Sequence, residues 1–366
     1  MAGAGGLAAQ AAPAPRSTLP DLAYARAQAA KYRDVPVWQA PGPALDARKA
    51  RGKTVYVVPL LSALPYQQAL NGGLKAAAKA AGITIVEQTN QGQPPQWAEG
   101  VEQAIAAKAD VIALIGAPDP QLLQPVLRQA KAAGIPVVVG NLVNEGTPPL
   151  ANVSARMDLD SQATQRVATD ATIAYTRGKA NTLIITADEF SPSRGIVAAI
   201  QDEYAKVCGK GCTTTVINVP LAQWSTRLRG AVLAALAADP EITFVHAIYD
   251  GMTAFAVAGI RAAGAQQRVK LGTVDGSASV LELIRRQAST GVILFDIGTS
   301  LDWHGWADMD VILRVLTGAP VPASQHLPRR IFDATNIAAA GTPSAPQAGY
   351  GTSYVTGYSR LWGLTK

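Results

Sequence analysis

The sequence predicts an α/β protein of two similar lobes, each a parallel sheet with helices on both faces, and three observations carry that prediction. Apolar runs of strand length alternate with amphipathic helical patterns along most of the chain, the pattern of βαβ units. Two successive strand ends carry the same punctuation, Tyr249-Asp250-Gly251 and, about 25 residues later, Asp275-Gly276, each leading into a helical pattern. The chain has 366 residues, 48% apolar, 16% charged and 6% aromatic, which suits a globular chain too long for one core, with alanine-rich helices packed closely on sheets.

Residues 1–20 are rich in Ala, Pro and Gly and are expected to be disordered. The N-terminus lacks the charged start and apolar core of a signal peptide; a signal already removed, with a start Met or a tag scar left behind, is the expectation. An arm follows over 21–52: a short helix from Asp21, its N-cap, to Asp34, then an extended stretch set by Pro36, Pro41 and Pro43.

Regular structure begins near Lys53. Strands are predicted at Thr54–Val58, Ile83–Glu87, Val111–Ile115 and Ile135–Val139. Between them lie helices from Tyr66, with Leu70, Leu74, Ala77 and Ala81 on one face and Gly82 as the stop, from Pro95 to Lys108, and from Leu122 to Ala133. A short extended piece near 152–157 reads as a first crossover. The alternation then restarts: helix Asp160–Thr176, strand Thr182–Thr186, helix Arg194–Lys206, strand Thr213–Val219, helix Trp224–Ala238, the two Asp-Gly units, and a last strand Gly291–Ile297. A helix at Trp303–Leu316 stops at Gly318, and Arg330–Phe332 reads as a final crossover strand. The expected division is 53–156 with 298–328 as one lobe and 157–297 with 329–334 as the other. The C-terminal extension, 335–366, shows little periodicity and is expected to drape over the surface or remain a tail.

The net charge of +6 is spread out, with no Lys/Arg cluster interleaved with aromatics, so it reads as solubility rather than a nucleic-acid surface. No apolar run is long enough to span a membrane. Cys208 and Cys212, in Cys-Gly-Lys-Gly-Cys, would form a local disulfide in an exported protein; a metal site would need more ligands than this segment offers, and His246, His304 and His326 are distant in sequence. No metal or cofactor is expected.

The sequence advertises no catalytic constellation. The P-loop pattern, G-x-G-x-x-G after a first strand and the G-x-S-x-G elbow are all absent. His246 lies in an apolar strand, as a core histidine would, and His304 beside Trp303 and Trp306 reads as helix surface or packing. In open α/β sheets, ligands bind beyond the carboxyl ends of the strands, so residues there are the candidates. Asp250 and Asp275 fit hydroxyl binding, helix capping or acid–base work, the first being favoured because an ionised carboxylate accepts several hydrogen bonds. Arg194 could make bidentate contacts to hydroxyls or a carboxylate, or a surface ion pair. Trp224 could stack on a sugar ring or simply pack. Asn141 could bind ligand or form a turn, Tyr66 could lean into the cleft or merely start its helix, and Asp119 reads as an N-cap.

Taken in order, Pro65-Tyr66 eight residues before Gly73, Ala133–Val139, Arg194 after a strand, Trp224 after the next, Tyr249-Asp250-Gly251-Met252 and Gly272–Gly276 resemble the periplasmic sugar-binding proteins of the ribose-binding type, the solute receptors of ABC importers. The resemblance covers about Gly52 to Phe332. It implies two Rossmann-like, doubly wound lobes joined by a three-segment hinge, with ligand between them. It places Tyr66, Asn141, Arg194, Trp224, Tyr249 and Asp275 on the ligand, and Asp296, Thr299 or both near the third crossover. The implied partners are a small molecule, a carbohydrate or polyol, and an ABC permease, with no nucleic acid; the implied setting is periplasmic or extracellular, with or without a lipid anchor. A monomer is expected, because such proteins must hinge freely. Leu60 and Leu64, Asn141-Leu142 and Tyr249 replace more polar residues of ribose binders, so the resemblance implies a less polar, more aromatic pocket suited to a deoxy sugar, substituted glycoside, polyol or apolar-faced acid. Three rival readings are an effector module of a transcription regulator, for which 1–52 lacks a helix-turn-helix, a receptor that presents its ligand to a membrane sensor, and an enzyme.

Overall fold

The computed structural model describes residues 19–116, 118–144, 148–190, 192–287, 291–345 and 347–365. Of the segment 1–20, only Leu19 and Pro20 fall among these. Helix α1 (Leu22–Lys31) starts where the Asp21 carboxylate accepts the Tyr24 N–H at 2.9 Å, as the sequence predicts.

The first sheet comprises β1 (Thr54–Pro59), β2 (Thr84–Glu87), β3 (Val111–Ile115), β4 (Val137–Asn144) and β5 (Ala155–Leu159), alternating with α2 (Pro65–Ala81), α3 (Pro94–Ala106) and α4 (Gln124–Ala132). Its order is β2-β1-β3-β4-β5 and every pairing is parallel. All five residues of β3 are buried, because a central parallel strand is covered on both faces. Gly82 ends α2 at φ 73°, in the left-handed conformation that a residue with a Cβ resists.

The second lobe carries α5 (Ser161–Thr176), β6 (Asn181–Thr186), α6 (Ser193–Glu203), β7 (Thr213–Asn218), α7 (Arg229–Ala238), β8 (Phe244–Ala247), α8 (Thr253–Ala262), β9 (Lys270–Asp275), α9 (Ala278–Gln287) and β10 (Ile293–Gly298). After β10 the chain returns to the first lobe as α10 (Leu301–Thr317), which lies along α2, and then adds β11 (Arg330–Asp333) antiparallel to β10. The sheet order is β11-β10-β9-β8-β6-β7. The piece expected near 152–157 as a crossover is hydrogen-bonded to β4 as far as Leu159, so the first sheet keeps it as an edge strand before the chain crosses.

Both chain ends span the lobes. Helix α1 packs on α5, and Tyr32 O accepts from Ile331 N at 2.7 Å. The arm then reaches the first lobe, where Leu45 N donates to Leu361 O at 2.9 Å and Trp38 lies edge-on to Tyr358. The C-terminal extension first packs on the second lobe, with Tyr350 edge-on to Phe332 and the Arg285 guanidinium bonded to Ile337 O and Ser344 Oγ. It then forms α11 (Ser353–Leu361) against α10. That helix corrects the expectation of a draped segment or tail. Tyr354, Tyr358 and Trp362 recur every four residues, one helical face, and all three are buried. Cys208 and Cys212 are joined as a disulfide, with Cα atoms 5.7 Å apart.

Candidate ligand-binding cleft

Three carboxyl groups stand at the carboxyl ends of adjacent strands in the second lobe. Asp250 follows β8; its carboxylate accepts from Thr273 Oγ1 at 3.0 Å and from Ser277 N at 2.7 Å, tying β8 to the turn before α9. Asp275 ends β9 at φ 136°, a conformation rare for a residue with a side chain, and its Oδ2 accepts the Asp250 N–H at 3.1 Å. Asp296 on β10 is fully buried and its Oδ1 accepts from Gly276 N at 3.1 Å. Burial raises all three pKa values, that of Asp250 to about 6; Asp250 pushes Asp275 further up, and both push Asp296. Asp250 and Asp296 are close enough to hydrogen-bond to each other, so one proton can serve both. Asp275 remains half-buried, and Thr299 N donates to its carbonyl at 3.4 Å.

An aromatic wall flanks these acids. Phe190 lies edge-on to Tyr249 at 5.5 Å and to Trp224 at 6.4 Å between ring centroids. The Tyr249 hydroxyl and Ser193 Oγ are 3.0 Å apart. Trp224 is nearly buried, with its indole N–H committed to Val219 O at 2.8 Å, and a Cβ on Gly251 would come within 2.6 Å of its ring. Arg194, in the first turn of α6, is exposed and makes no part of this group.

From the first lobe, Asn141 near the end of β4 adopts φ 65° and its Nδ2 donates to Asp308 Oδ2 at 3.0 Å. Asp308, on α10, is fully buried, and burial raises its pKa to about 8 against the lowering effect of Asn141. Asn141 Oδ1 and Asp308 Oδ1 have no hydrogen-bond partner among the described residues. Tyr66, at the start of α2, is within electrostatic reach of both lobes: beyond burial, its hydroxyl is raised by Asp275, Asp308 and Tyr249. Tyr66, Tyr249, Asp275 and Asp308 thus lie within electrostatic reach of one another, Asn141 is bonded to Asp308, and Thr299 N is bonded to the Asp275 carbonyl.

Sequence reasoning missed Asp308, Phe190 and Ser193. The signal for Asp308 is a carboxylate among Ala307, Met309 and Val311 in a helix too apolar to be a surface one. His304, four residues earlier, is buried, and burial lowers its pKa to about 3, so it belongs to packing rather than to the helix surface. His246 is a core histidine, its Nε2 2.7 Å from Gln165 Oε1. Asp119 caps the turn after β3, accepting from Gln121 N at 2.9 Å. Among the described residues no cluster of three potential metal ligands occurs, and no helix is long and apolar enough to cross a membrane.

A family model for the periplasmic binding protein domain matches residues 55–319. The chain belongs to that family. No curated protein matches it. Among solved structures, this periplasmic binding protein is similar to an ABC transporter solute binding protein from Agrobacterium vitis with bound allitol, at 16% identity over 78% of this chain and 97% of that one, TM-score 0.65. It is similar to a 5-methylthioribose transporter solute binding protein from Thermotoga lettingae, at 16% identity over 86% and 95%, TM-score 0.66. The binding component of the arabinose ABC transporter from a Shewanella species is 20% identical over 78% and 94%, TM-score 0.64. At these identities the likeness is one of fold. The arm and the C-terminal extension lie outside the matched residues.

Proposed function

We propose that this periplasmic binding protein captures a sugar- or polyol-sized solute between its lobes, outside the cytoplasm, and delivers it to an ABC-type importer. The observation that carries the reading is the pair of polar groups at the strand ends of each lobe, Asp250 hydrogen-bonded to Asp275 in one and Asn141 to Asp308 in the other, with the Tyr66 hydroxyl within electrostatic reach of both lobes. Solved relatives of this fold are described with allitol, 5-methylthioribose and arabinofuranose bound, which supports a ligand of that size. Asp275 and Asn141 accept hydroxyl protons, Tyr249 and Tyr66 supply ring faces and phenol donors, and Thr299 lies at the hinge. Trp224 shapes the wall through Phe190 and Gly251, while Arg194 stays outside unless the lips of the cleft rearrange.

Function here is a population shift and needs no bond-making: a ligand that touches both lobes favours the closed arrangement in proportion to its extra contacts there. A thermal-shift screen of pentoses, hexoses, deoxy sugars, polyols, glycosides and small acids tests the reading. A ligand at about a thousand times its Kd adds roughly 4 kcal/mol of stability. In a hit, Asp275→Ala weakens binding by more than about tenfold by removing a buried hydroxyl acceptor; unchanged affinity places the site elsewhere.

A further inference from the structure

The cleft has carboxylates from both lobes and, among the described residues, no cation paired with them. Among the described residues, every hydrogen bond made to Asp250, Asp275, Asp296 and Asp308 comes from a backbone N–H, a hydroxyl or an amide: Thr273 and Ser277 to Asp250, the Asp250 N–H to Asp275, Gly276 to Asp296, Asn141 to Asp308. Among the described residues no lysine or arginine forms an ion pair with any of the four, and none lowers their pKa values. Arg330, on the strand beside Asp296, spends its guanidinium on Arg33 O and Gly349 O. Arg329 is held by Asp160 and Thr164, Arg227 by Gln223, and Arg194 is exposed. This is an acidic cleft in a chain of net charge +6.

Buried charge without a partner is costly, and proteins rarely leave it so. Asp250 and Asp296 can relieve each other by sharing a proton. Asp275 and Asp308 have no such arrangement with each other; they stand on opposite lobes, and each raises the Tyr66 hydroxyl. Two acceptor atoms on the first-lobe side, Asp308 Oδ1 and Asn141 Oδ1, are buried without a donor among the described residues, and these residues are 0% and 5% exposed. A neutral sugar hydroxyl would donate a hydrogen bond to each acceptor but would do nothing to offset the burial that holds the Asp275 and Asp308 carboxyls above their ordinary range, whereas a cation favours their ionised form. An ammonium supplies several N–H donors and the missing positive charge together. The Tyr249 ring, packed at right angles to Phe190, flanks the acids, and aromatic rings of this kind attract cations.

We propose that the ligand carries a protonated amine: an amino sugar or amino polyol whose ammonium sits between Asp275 and Asp308 against Tyr66. The proposal rests on the solute-capture reading and names the class of solute. Calorimetry with matched pairs at pH 7.5 tests it: glucosamine with glucose, galactosamine with galactose, glucamine with sorbitol, and N-acetylglucosamine as the form without charge. In at least one pair the amine binds about tenfold or more tighter than its hydroxyl partner, the worth of one charge-assisted contact, and N-acetylation erases the gain. Asp308→Asn and Asp275→Asn each shrink that preference. A neutral member that binds as tightly as its amine overturns the amine assignment and leaves solute capture standing. Failure of every member to bind, in protein freed of bound solute by dialysis from denaturant, counts against both. The pairwise comparison needs no variant, so it holds even where a substitution fails to fold.

Discussion

Trp362 stacks on Trp306 with ring centroids 5.3 Å apart while its indole N–H donates to Asp310 at 2.8 Å. The other oxygen of Asp310 holds Arg314 at 2.7 Å, and both side chains of that ion pair are fully buried. A tryptophan four residues from the C-terminus thereby completes a buried charge pair in the first lobe, which also takes Gln325 and, through the Arg314 guanidinium, Pro43 O of the arm. The extension is therefore part of the lobe's core. Trp362→Ala loses a large buried ring and leaves one Asp310 oxygen unpaired, so it costs about 3–5 kcal/mol in urea unfolding. Trp362→Phe keeps most of the stack and lacks only the donor, so it costs less, about 1–3 kcal/mol. Equal losses would mean that the hydrogen bond, not the ring, anchors the extension.

Helices α2 and α10 approach through glycines. A Cβ on Gly73 would lie 2.5 Å from Asp302 O, and one on Gly305 would lie 2.7 Å from Leu70 O. Backbone cannot give way as a flexible side chain can, so the helices must separate to admit even a methyl group. Gly305→Ala is expected to destabilise by about 3 kcal/mol, although alanine is the better helix former by about 1 kcal/mol. A stabilised Gly305→Ala would show that the crossing tolerates more room than its geometry has.

Asp308 has a sign that is easy to test. Its pKa rises from 3.8 unfolded to about 8 folded, so its contribution to stability is full below about 4 and is lost as pH rises through 8. At about 1.4 kcal/mol per unit, the penalty near neutrality is a few kcal/mol. His304 and His246 act oppositely: with folded values of about 3 and about 4 against 6.5, their contributions are present above 6.5 and lost as pH falls. Asp308→Asn should therefore raise the ligand-free melting temperature at pH 7.5, flatten the decline between pH 4 and 8, and leave the acid limb in place. A variant that melts lower at pH 7.5 would mean that the ionised carboxylate is worth more to the fold than its burial costs.

The fold was legible because strands buried on both faces announce themselves as apolar runs and because glycine and aspartate mark their ends. Val111–Ile115 and Phe244–Ala247 are such runs. The second-lobe half of the site followed, since Asp250 and Asp275 stand at those ends. The first-lobe half did not. Asp308 lies in mid-helix, and only the path of α10 beneath β4 brings it to Asn141. Arg194 shows the converse limit: its place at a helix start was readable, but its exposure depends on the rotation of α6. Trp224 has its indole N–H committed to Val219, a tertiary contact that spacing cannot reveal. Helix α11 was hidden because its apolar face is three aromatics among Gly, Ser and Thr, and its drive to fold is the complementary aromatic face of α10.

The disulfide is predicted to matter for stability and not for affinity. Cys208 and Cys212 close a loop of five residues, and so short a loop is worth only about 2 kcal/mol of unfolded-state entropy. It precedes β7, at the amino-terminal end of the sheet, whereas the cleft lies at the carboxyl-terminal end. Its structural neighbours are the start of α1, through Asp21 N to Val207 O at 2.7 Å, and the turn at Gly178. A Cys208→Ala, Cys212→Ala double variant should lose about 2 kcal/mol in urea, should be cut more readily near α1 by a protease, and should bind ligand within about twofold of the parent, well under one contact's worth. A large affinity loss at unchanged melting temperature would mean that the loop reaches the cleft through β7, and the assignment of the two sheet ends to separate roles would fail.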